Sequence, residues 1–269
     1  MSQHSIKSFS AALFEKSFYV AFFNIFIYFK SPVRVLTRYV FEKGSYPHKF
    51  SVNTPLGLQV VTTFSHHDLI TLVECFGKLD YRAPKDISVV VDFGSNIGIS
   101  ALYFLTRNPN VQVYLFEPVP RNVERLRENL RGYEKRYKLS ECAVGVDEGE
   151  CDFAYEDTGR YGGLIKGGLS NFSKTTSDKV LSVQVLAANK TLDKILSNHK
   201  SVDVVKIDIE GYENKVLSCL KAETLARIER IYAETISNQN LSGFSKERYG
   251  GVIRYYRIRD NILTKKHEE

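Results

Sequence analysis

Apolar runs and amphipathic segments alternate along the second two-thirds of the chain. Short β-branched runs predict strands buried on both faces of a sheet, and apolar residues at helical spacing predict helices between them. The predicted strands cover residues 87–93, 111–116, 139–144, 202–207 and 228–233. Strands that alternate with helices pair in parallel through right-handed crossovers. The pattern therefore predicts an α/β fold with a doubly wound sheet.

The part of the chain before this alternation has a different pattern. Two short strands are predicted over residues 49–53 and 58–62, around a Thr-Pro-Leu-Gly turn signal. Ser65 and Asp68 then form a capping-box signature at the start of a helix. The predicted domains are an N-terminal helix with a small α+β lead-in, residues 1–86, and a Rossmann-like domain, residues 87–269.

The most apolar stretch covers residues 18–29 and is rich in phenylalanine. It is shorter than the about 20 residues that a membrane-spanning helix needs. One interpretation is a helix that packs on its own domain or on a partner subunit, which leaves a homo-oligomer open. The other is an interfacial anchor at a peripheral membrane contact, with Lys30, Arg34 and Arg38 facing lipid phosphates.

The net charge bears on the kind of partner, and the cysteine content bears on the cellular compartment. The formal net charge is +6, but the basic residues are scattered among acidic ones. Such a charge permits an acidic partner without requiring one, and we expect no nucleic-acid partner. The four cysteines form no C-x-x-C pair, which indicates a reducing compartment, no disulfide framework and no metal site. We expect a cytoplasmic protein, with peripheral membrane contact left open.

Carboxylates stand where the predicted parallel strands end. In an open α/β sheet, ligands bind outside the carboxyl ends of the strands. Acids also suit helix starts, which explains one or two of them, but four acidic strand ends on one edge favour a ligand site. The acidic residues at these ends are Asp92, Glu117, Asp208, Glu210 and Glu234.

The loop after the first predicted strand carries Gly94 and Gly98, which allow a tight turn that a ligand can approach. Asn96 stands where the dinucleotide pattern G-x-G-x-x-G needs a glycine, which argues against a nicotinamide-dependent oxidoreductase. Glu117 ends the next strand and can accept the hydroxyl protons of a ribose. The pattern favours S-adenosylmethionine as cofactor. Its predicted binding residues are Asp92, Gly94, Ser95, Asn96, Gly98, Glu117 and, at the third strand end, Ala143 and Val144.

Four stretches of the sequence resemble the FkbM-type methyltransferases, in the family's order and at similar spacing. They read VVVDFGSNIGISALYF, VYLFEPVPRNVERLRENL, ECAVGVDEGE and VDVVKIDIEGYENKVL, within about residues 52–234. The most distinctive piece is IDIEG-x-E, at residues 207–213. The resemblance implies a class I methyltransferase fold, the use of S-adenosylmethionine, and O-methylation of sugar, glycan or secondary-metabolite hydroxyls.

Two segments are harder to place in such a fold. Class I folds end in an antiparallel hairpin, whereas the residues after Glu234 leave little room for one and predict a helix over 247–257. The insertion after the third strand predicts strands over residues 151–155 and 180–186. The loop between them has the glycine density of a mobile connection. Its glycines are Gly159, Gly162, Gly163, Gly167 and Gly168.

Methylation of an alcohol also needs a general base, because the hydroxyl must lose its proton. An extended end of the fourth strand would place Asp208 and Glu210 on one face, where two close carboxylates raise one pKa. We predict Asp208 as the base and Glu210 as the group that tunes it. His66 and His67 are further candidates, whereas Glu213 is expected to cap the next helix.

Two other functions stay open at this stage. A nucleic-acid methyltransferase would use the positive charge, although the chain has neither an N-P-P-[YF] motif nor a Pro-Cys nucleophile. A non-enzymatic, membrane-associated binding module would use residues 18–29.

Overall fold

The computed structural model describes residues 16–155, 162–164, 179–235 and 239–259. The strands, in chain order, are β1 (His48–Thr54), β2 (Gly57–Thr63), β3 (Val89–Phe93), β4 (Gln112–Phe116), β5 (Tyr137–Ser140), β6 (Ala143–Gly145), β7 (Gly149–Tyr155), β8 (Gly162–Leu164), β9 (Lys179–Ala187), β10 (Val204–Ile207), β11 (Arg230–Ala233), β12 (Phe244–Tyr249) and β13 (Val252–Arg257). The helices are α1 (Lys16–Tyr28), α2 (Pro32–Phe41), α3 (His66–Val73), α4 (Ile99–Leu105), α5 (Pro120–Asn129), α6 (Ala188–Leu196), α7 (Glu213–Cys219) and α8 (Ala222–Leu225), and the π-helical turn Glu74–Lys78 continues α3.

A seven-stranded sheet in the order β12-β13-β11-β10-β3-β4-β5 forms the centre of the molecule. The five strands from β11 to β5 run parallel to one another, as the alternating pattern predicts. Along β3, Val90 packs with the lead-in, while Val91 and Phe93 pack with α6 and α7 on the other face. The central strands are apolar throughout because both faces are covered. The doubly wound, class I architecture is confirmed.

The end of the chain corrects one prediction. Residues 247–257 form no helix but belong to the hairpin of β12 and β13, in which Tyr249 pairs with Val252. Gly250, at φ +57°, makes the tight turn that this pairing requires. Strand β13 then joins β11 in antiparallel register. The expected lack of room was wrong, because a two-glycine turn makes this hairpin very short.

The third predicted strand is also divided. Residues 139–144 do not form one strand: β5 ends at Ser140, and β6 leaves the main sheet to pair with β9. A turn in which the Cys142 amide donates to the Ser140 carbonyl (3.0 Å) separates the two. The second sheet has the order β6-β9-β7-β8, and its antiparallel β7–β9 pair confirms the predicted insertion strands. Gly162 and Gly163 lie in β8, whereas Gly159, Gly167 and Gly168 lie outside the described residues.

The lead-in packs directly on one face of the sheet. Its β1–β2 hairpin and the capping box of Ser65 and Asp68 at α3 are as predicted. Ala21 and Ile25 of α1 belong to the same buried cluster as Val90 of β3. The domain division after residue 86 stays a prediction. In the described ranges, we find no helix that is long and apolar enough to cross a membrane.

Candidate active site at the carboxyl edge of the sheet

The loop between β3 and α4 is shaped by close backbone contacts. Gly94 has φ +83°, and a Cβ atom there would lie 1.7 Å from the carbonyl oxygen of Asp208. Gly98 also has φ +83°, and its Cβ would lie 3.1 Å from the side chain of Leu126 on α5. Both conformations favour glycine. Asn96, at φ +46°, takes the left-handed turn between them. Packing within the protein is therefore enough to require both glycines.

The amides of this loop are used inside the protein. Those of Gly94 and Ser95 donate to the Phe116 carbonyl (3.1 and 3.0 Å), and the Gly98 amide donates to the Ser95 carbonyl (2.9 Å). The Ser95 hydroxyl donates to the Asp92 carbonyl (2.9 Å) and accepts from the Phe116 amide (3.1 Å). A phosphate cradle needs free amides, so these donors do not form one.

Glu117 holds the loop from the end of β4. Its Oε2 accepts from the Asn96 amide (2.9 Å), and its Oε1 accepts from the Val119 amide (3.0 Å) and the Asn122 side chain (3.2 Å). Burial raises the pKa of Glu117 to about 7, against the effect of these three donors. A carboxylate offers about four acceptor positions, so one is left for a ligand hydroxyl. The amide oxygen of Asn122 is buried and has no hydrogen-bond partner in the described ranges.

Asp92 lies beneath the loop and has no exposed surface. Its Oδ2 accepts from the Ser100 hydroxyl (2.6 Å), and its Oδ1 lies 3.2 Å from Lys206 Nζ. Burial raises the pKa of Asp92, while Lys206 opposes that shift. The side chain of Asp92 thus supports the site from inside, and direct contact with a ligand stays a prediction.

Lys206 is a site residue that the sequence reasoning missed. Its ammonium lies 3.1 Å from Asp208 Oδ2 and donates to the Gly94 carbonyl (2.9 Å), in addition to its contact with Asp92. Burial acts to lower the pKa of Lys206, but Asp208, Asp92 and Glu234 outweigh it and raise the pKa. A lysine inside the apolar strand Val-Val-Lys-Ile was the available signal, because a buried ammonium needs anionic partners.

Asp208 faces a second carboxylate, Glu234, at the end of β11. The Tyr81 hydroxyl donates to Glu234 Oε1. Burial of its carboxyl group and the charge of Asp208 raise the pKa of Glu234, although the residue as a whole is exposed. Both residues keep solvent-accessible surface. The charge of Asp208 also raises the pKa of Glu74, Asp92 and Glu213. The sequence instead predicted that Asp208 is paired with Glu210.

The chain after Asp208 is not extended, which corrects the predicted shared face. Glu210 has φ +53°, and its side chain is exposed. Glu213 is buried and accepts from the amides of Ile209 (2.9 Å) and Gly211 (3.0 Å), so it closes this turn. It is not the N-cap of α7, a position that Tyr212 occupies. A tuning role of Glu210 stays a prediction.

The remaining predicted site residues lie in two places. Ala143 and Val144 are buried in β6, and Val144 packs with Phe93 and Phe116 at the ends of β3 and β4. Their contact with a cofactor stays a prediction. His66 and His67 stand half-buried in the first turn of α3. In the part of the chain that the structure describes, no cluster of His, Cys, Asp or Glu could hold a metal ion.

The chain is similar to known methyltransferases. The family described as Methyltransferase FkbM domain matches residues 92–258. The 2-O-methyltransferase NoeI of Sinorhizobium fredii is 31% identical over 188 residues, which cover 65% of this chain and 70% of NoeI. Methyltransferase 1 of Beauveria bassiana is 23% identical, over 72% of this chain and 81% of its own.

The solved structure of a methyltransferase FkbM from Methylobacillus flagellatus is 14% identical, covers 71% of this chain and 54% of that chain, and has a TM-score of 0.42. The family match begins at Asp92, includes the loop that Glu117 holds and the Asp208 turn, and ends one residue after β13. Because this match spans more than half of the chain, the protein belongs to the FkbM methyltransferase family.

Proposed function

We propose that this protein transfers the methyl group of S-adenosylmethionine to a hydroxyl of a sugar, glycan or secondary metabolite. The main observation behind the proposal is that one lysine contacts both the loop after β3 and a carboxylate at the same edge of the sheet. Lys206 contacts both the loop that Glu117 holds and the carboxylate of Asp208. Family membership supports methyl transfer, and the name of the relative NoeI, a 2-O-methyltransferase, supports an oxygen acceptor.

The residues present fit this cofactor. Glu117 has one acceptor position left, and the nearby amide oxygen of Asn122 is buried without a partner among the described residues, so both can accept from ribose hydroxyls. The loop amides of Gly94, Ser95 and Asn96 already have acceptors, which suits a cofactor without a pyrophosphate. Carboxylates around Lys206 give the edge an acidic character that suits a cationic sulfonium.

The chain's own residues then act on the acceptor. When bound, S-adenosylmethionine would supply an electrophilic methyl group for the acceptor oxygen, with S-adenosylhomocysteine as the leaving group and the hydroxyl proton left for residues of this chain to receive. Asp208 is exposed enough to receive the hydroxyl proton, and Lys206 fixes its position. Glu234, with its raised pKa, is the neighbouring group that can share this proton. Positioning accounts for much of the rate in such a displacement.

The proposal also covers the methyl acceptor and the cellular location. We propose a small-molecule or glycan acceptor, no nucleic-acid substrate, and a cytoplasmic location.

The test is incubation of the protein with S-adenosylmethionine tritiated in the methyl group and a glycan or lipid-linked sugar fraction. We expect label in that fraction that survives mild alkali, because methyl ethers resist alkali whereas methyl esters do not. The Asp208→Asn protein should bind S-adenosylhomocysteine but transfer little label. Alkali-labile label would contradict an alcohol acceptor, and no binding of S-adenosylhomocysteine by the wild type would contradict the cofactor.

A further inference from the structure

Helix α1 is buried on one side only. Ala21 and Ile25 of α1, and Phe29 directly after it, lie in the buried cluster, and the Asn24 side chain donates to the Gly77 carbonyl (2.7 Å). The opposite side consists of large apolar side chains that are 42–64% exposed, and no charged residue stands between Ser17 and Phe29. A contiguous apolar face of this kind marks an interaction site. Its exposed residues are Tyr19, Phe22, Phe23, Phe26 and Ile27.

A cleft of about 1,020 Å³ opens at the C-terminal end of this face. Ile27 and Tyr28 form part of its wall, so the apolar face continues into it. No carboxylate lines the cleft, and none of its cations forms an ion pair with a carboxylate in the described ranges. The lining cations are Arg82, Lys85, Arg107 and Arg230.

One of these cations, Arg107, packs against an aromatic ring. The Arg107 guanidinium lies 5.0 Å from the centre of the Tyr103 ring, and its buried Nε has no hydrogen-bond partner in the described ranges. Arg82 and Lys85 are exposed at the mouth of the cleft. The cleft therefore presents unneutralised positive charge directly beside an apolar face.

We propose that α1 and this cleft together dock on a membrane surface that contains anionic phospholipids. Aromatic side chains favour the boundary between headgroups and acyl chains, and cations near an anionic bilayer attract its phosphates. Charge complementarity favours a bilayer over a second copy of this chain. In a symmetric dimer formed through this surface, the four cations of one copy would lie against the four cations of the other.

The proposed docking surface lies away from the methyl-transfer site. Lys85 precedes β3 and Arg230 begins β11, so the cleft lies at the amino ends of the parallel strands. Asp208 and Glu234 follow the carboxyl ends of β10 and β11. Docking and cofactor binding are therefore separable, and failure of one does not imply failure of the other.

The test of the charge is co-sedimentation of the full chain with vesicles of phosphatidylcholine, with and without phosphatidylglycerol. We expect sedimentation with the anionic vesicles, which Arg82→Ala/Lys85→Ala weakens about thirtyfold, since each cation near such a surface contributes roughly a kilocalorie. Lys194→Ala/Lys215→Ala removes the same charge from exposed sites on α6 and α7 and should leave binding unchanged. Equal binding by both double variants would overturn the role of the cleft.

The test of the apolar face uses Phe23→Ser/Ile27→Ser, because removal of α1 would also remove buried core residues. We expect this variant to lose vesicle binding while retaining its thermal stability and its affinity for S-adenosylhomocysteine. Val180→Ser changes another exposed apolar residue, on β9, and should bind as the wild type does. If the wild-type protein does not bind the anionic vesicles, the proposal is overturned. A dimer in light scattering that Phe23→Ser/Ile27→Ser dissociates would also overturn it.

Discussion

Lys206 Nζ lies 3.1 Å from Asp208 Oδ2, across two residues of one strand end. The lysine side chain is 3% exposed and that of Asp208 is 27% exposed, so a buried cation fixes a carboxylate that solvent and substrate can reach. The same ammonium donates to the Gly94 carbonyl (2.9 Å). The position of the proposed base is thereby tied to the loop proposed to hold the cofactor.

Replacing Lys206 with methionine tests how much its ammonium group contributes to the free energy of unfolding. The substitution leaves Asp92 buried beside no cation, and breaking a buried pair in this way destabilises a protein by about 3–5 kcal/mol. Lys206→Met/Asp92→Asn should recover part of that loss, because it removes the uncompensated charge. Denaturant unfolding measures both, with the exposed Lys215→Met as control. If the Lys206→Met protein is as stable as the control, the charge of Lys206 does not stabilise the buried Asp92.

Gly94 should tolerate substitution less well than another glycine in a similar conformation. Gly94 and Gly132 have φ +83° and +94°, but only at Gly94 would a Cβ meet a backbone atom, the Asp208 carbonyl at 1.7 Å. Gly132→Ala should destabilise by about 1–2 kcal/mol from its backbone conformation alone. Gly94→Ala should destabilise further and weaken cofactor binding by displacing the Asp208 turn. Equal unfolding free energies of the two variants would contradict this packing.

The sequence predicted the sheet because its strands are buried on both faces and carry continuous β-branched runs. It failed at the end of the chain, where Tyr249-Gly250-Gly251-Val252 is a hairpin signal that the helix prediction ignored. It also failed at Glu141 and Cys142, where the chain changes sheets through a turn without glycine or proline. Pairing with a distant strand, here β9, is not encoded locally.

The sequence predicted which strand ends lie at one edge of the sheet, but not the contacts between their side chains. Strand ends placed Asp208, Glu117 and Glu234 at one edge, because parallel strands share a direction. The pairing of Asp208 with Glu234 depends on β10 lying next to β11, and the left-handed turn at Glu210 depends on the buried Glu213. Neither relationship follows from spacing along the chain.

Asp208→Asn separates base chemistry from binding. The amide keeps the shape of the carboxylate but cannot accept the proton, so kcat should fall by about 10²–10⁴ if Asp208 is the base. Affinity for S-adenosylhomocysteine should change little. Radiolabel transfer and calorimetry give the two quantities. A parallel loss of affinity would make Asp208 a cofactor ligand, and full activity would move the base to Glu234, His66 or His67.

Tyr81→Phe should shift the pH profile of the reaction. The Tyr81 hydroxyl acts to lower the pKa of Glu234, so its removal raises that pKa further. If Glu234 must be ionised to share the proton, activity rises with pH through its pKa, and the acidic limb of kcat/KM moves to higher pH. Tyr133→Phe removes a hydroxyl bonded to Gln59, away from these carboxylates, and should leave the limb in place. An unshifted limb in Tyr81→Phe would exclude this role of Glu234.

Glu117 should make cofactor affinity depend on pH near neutrality. Its pKa is raised to about 7, and only the ionised carboxylate accepts a hydroxyl proton while keeping its three donors. Affinity should therefore rise as pH increases through about 7 and level off above it. Glu117→Gln removes the titration, so its affinity should not follow this curve. The same dependence in both proteins would assign the titration to another group.

The most direct test of the central claim is calorimetry of S-adenosylhomocysteine binding at pH 8 to the wild type, Glu117→Gln and the exposed control Glu124→Gln. We expect one site per chain in the wild type and in the control. In Glu117→Gln the binding free energy should fall by about 1.5–3 kcal/mol, because a hydrogen bond to a charged acceptor is lost. Wild-type protein that does not bind, or identical affinity in all three folded proteins, would contradict a cofactor site between the β3 loop and Glu117.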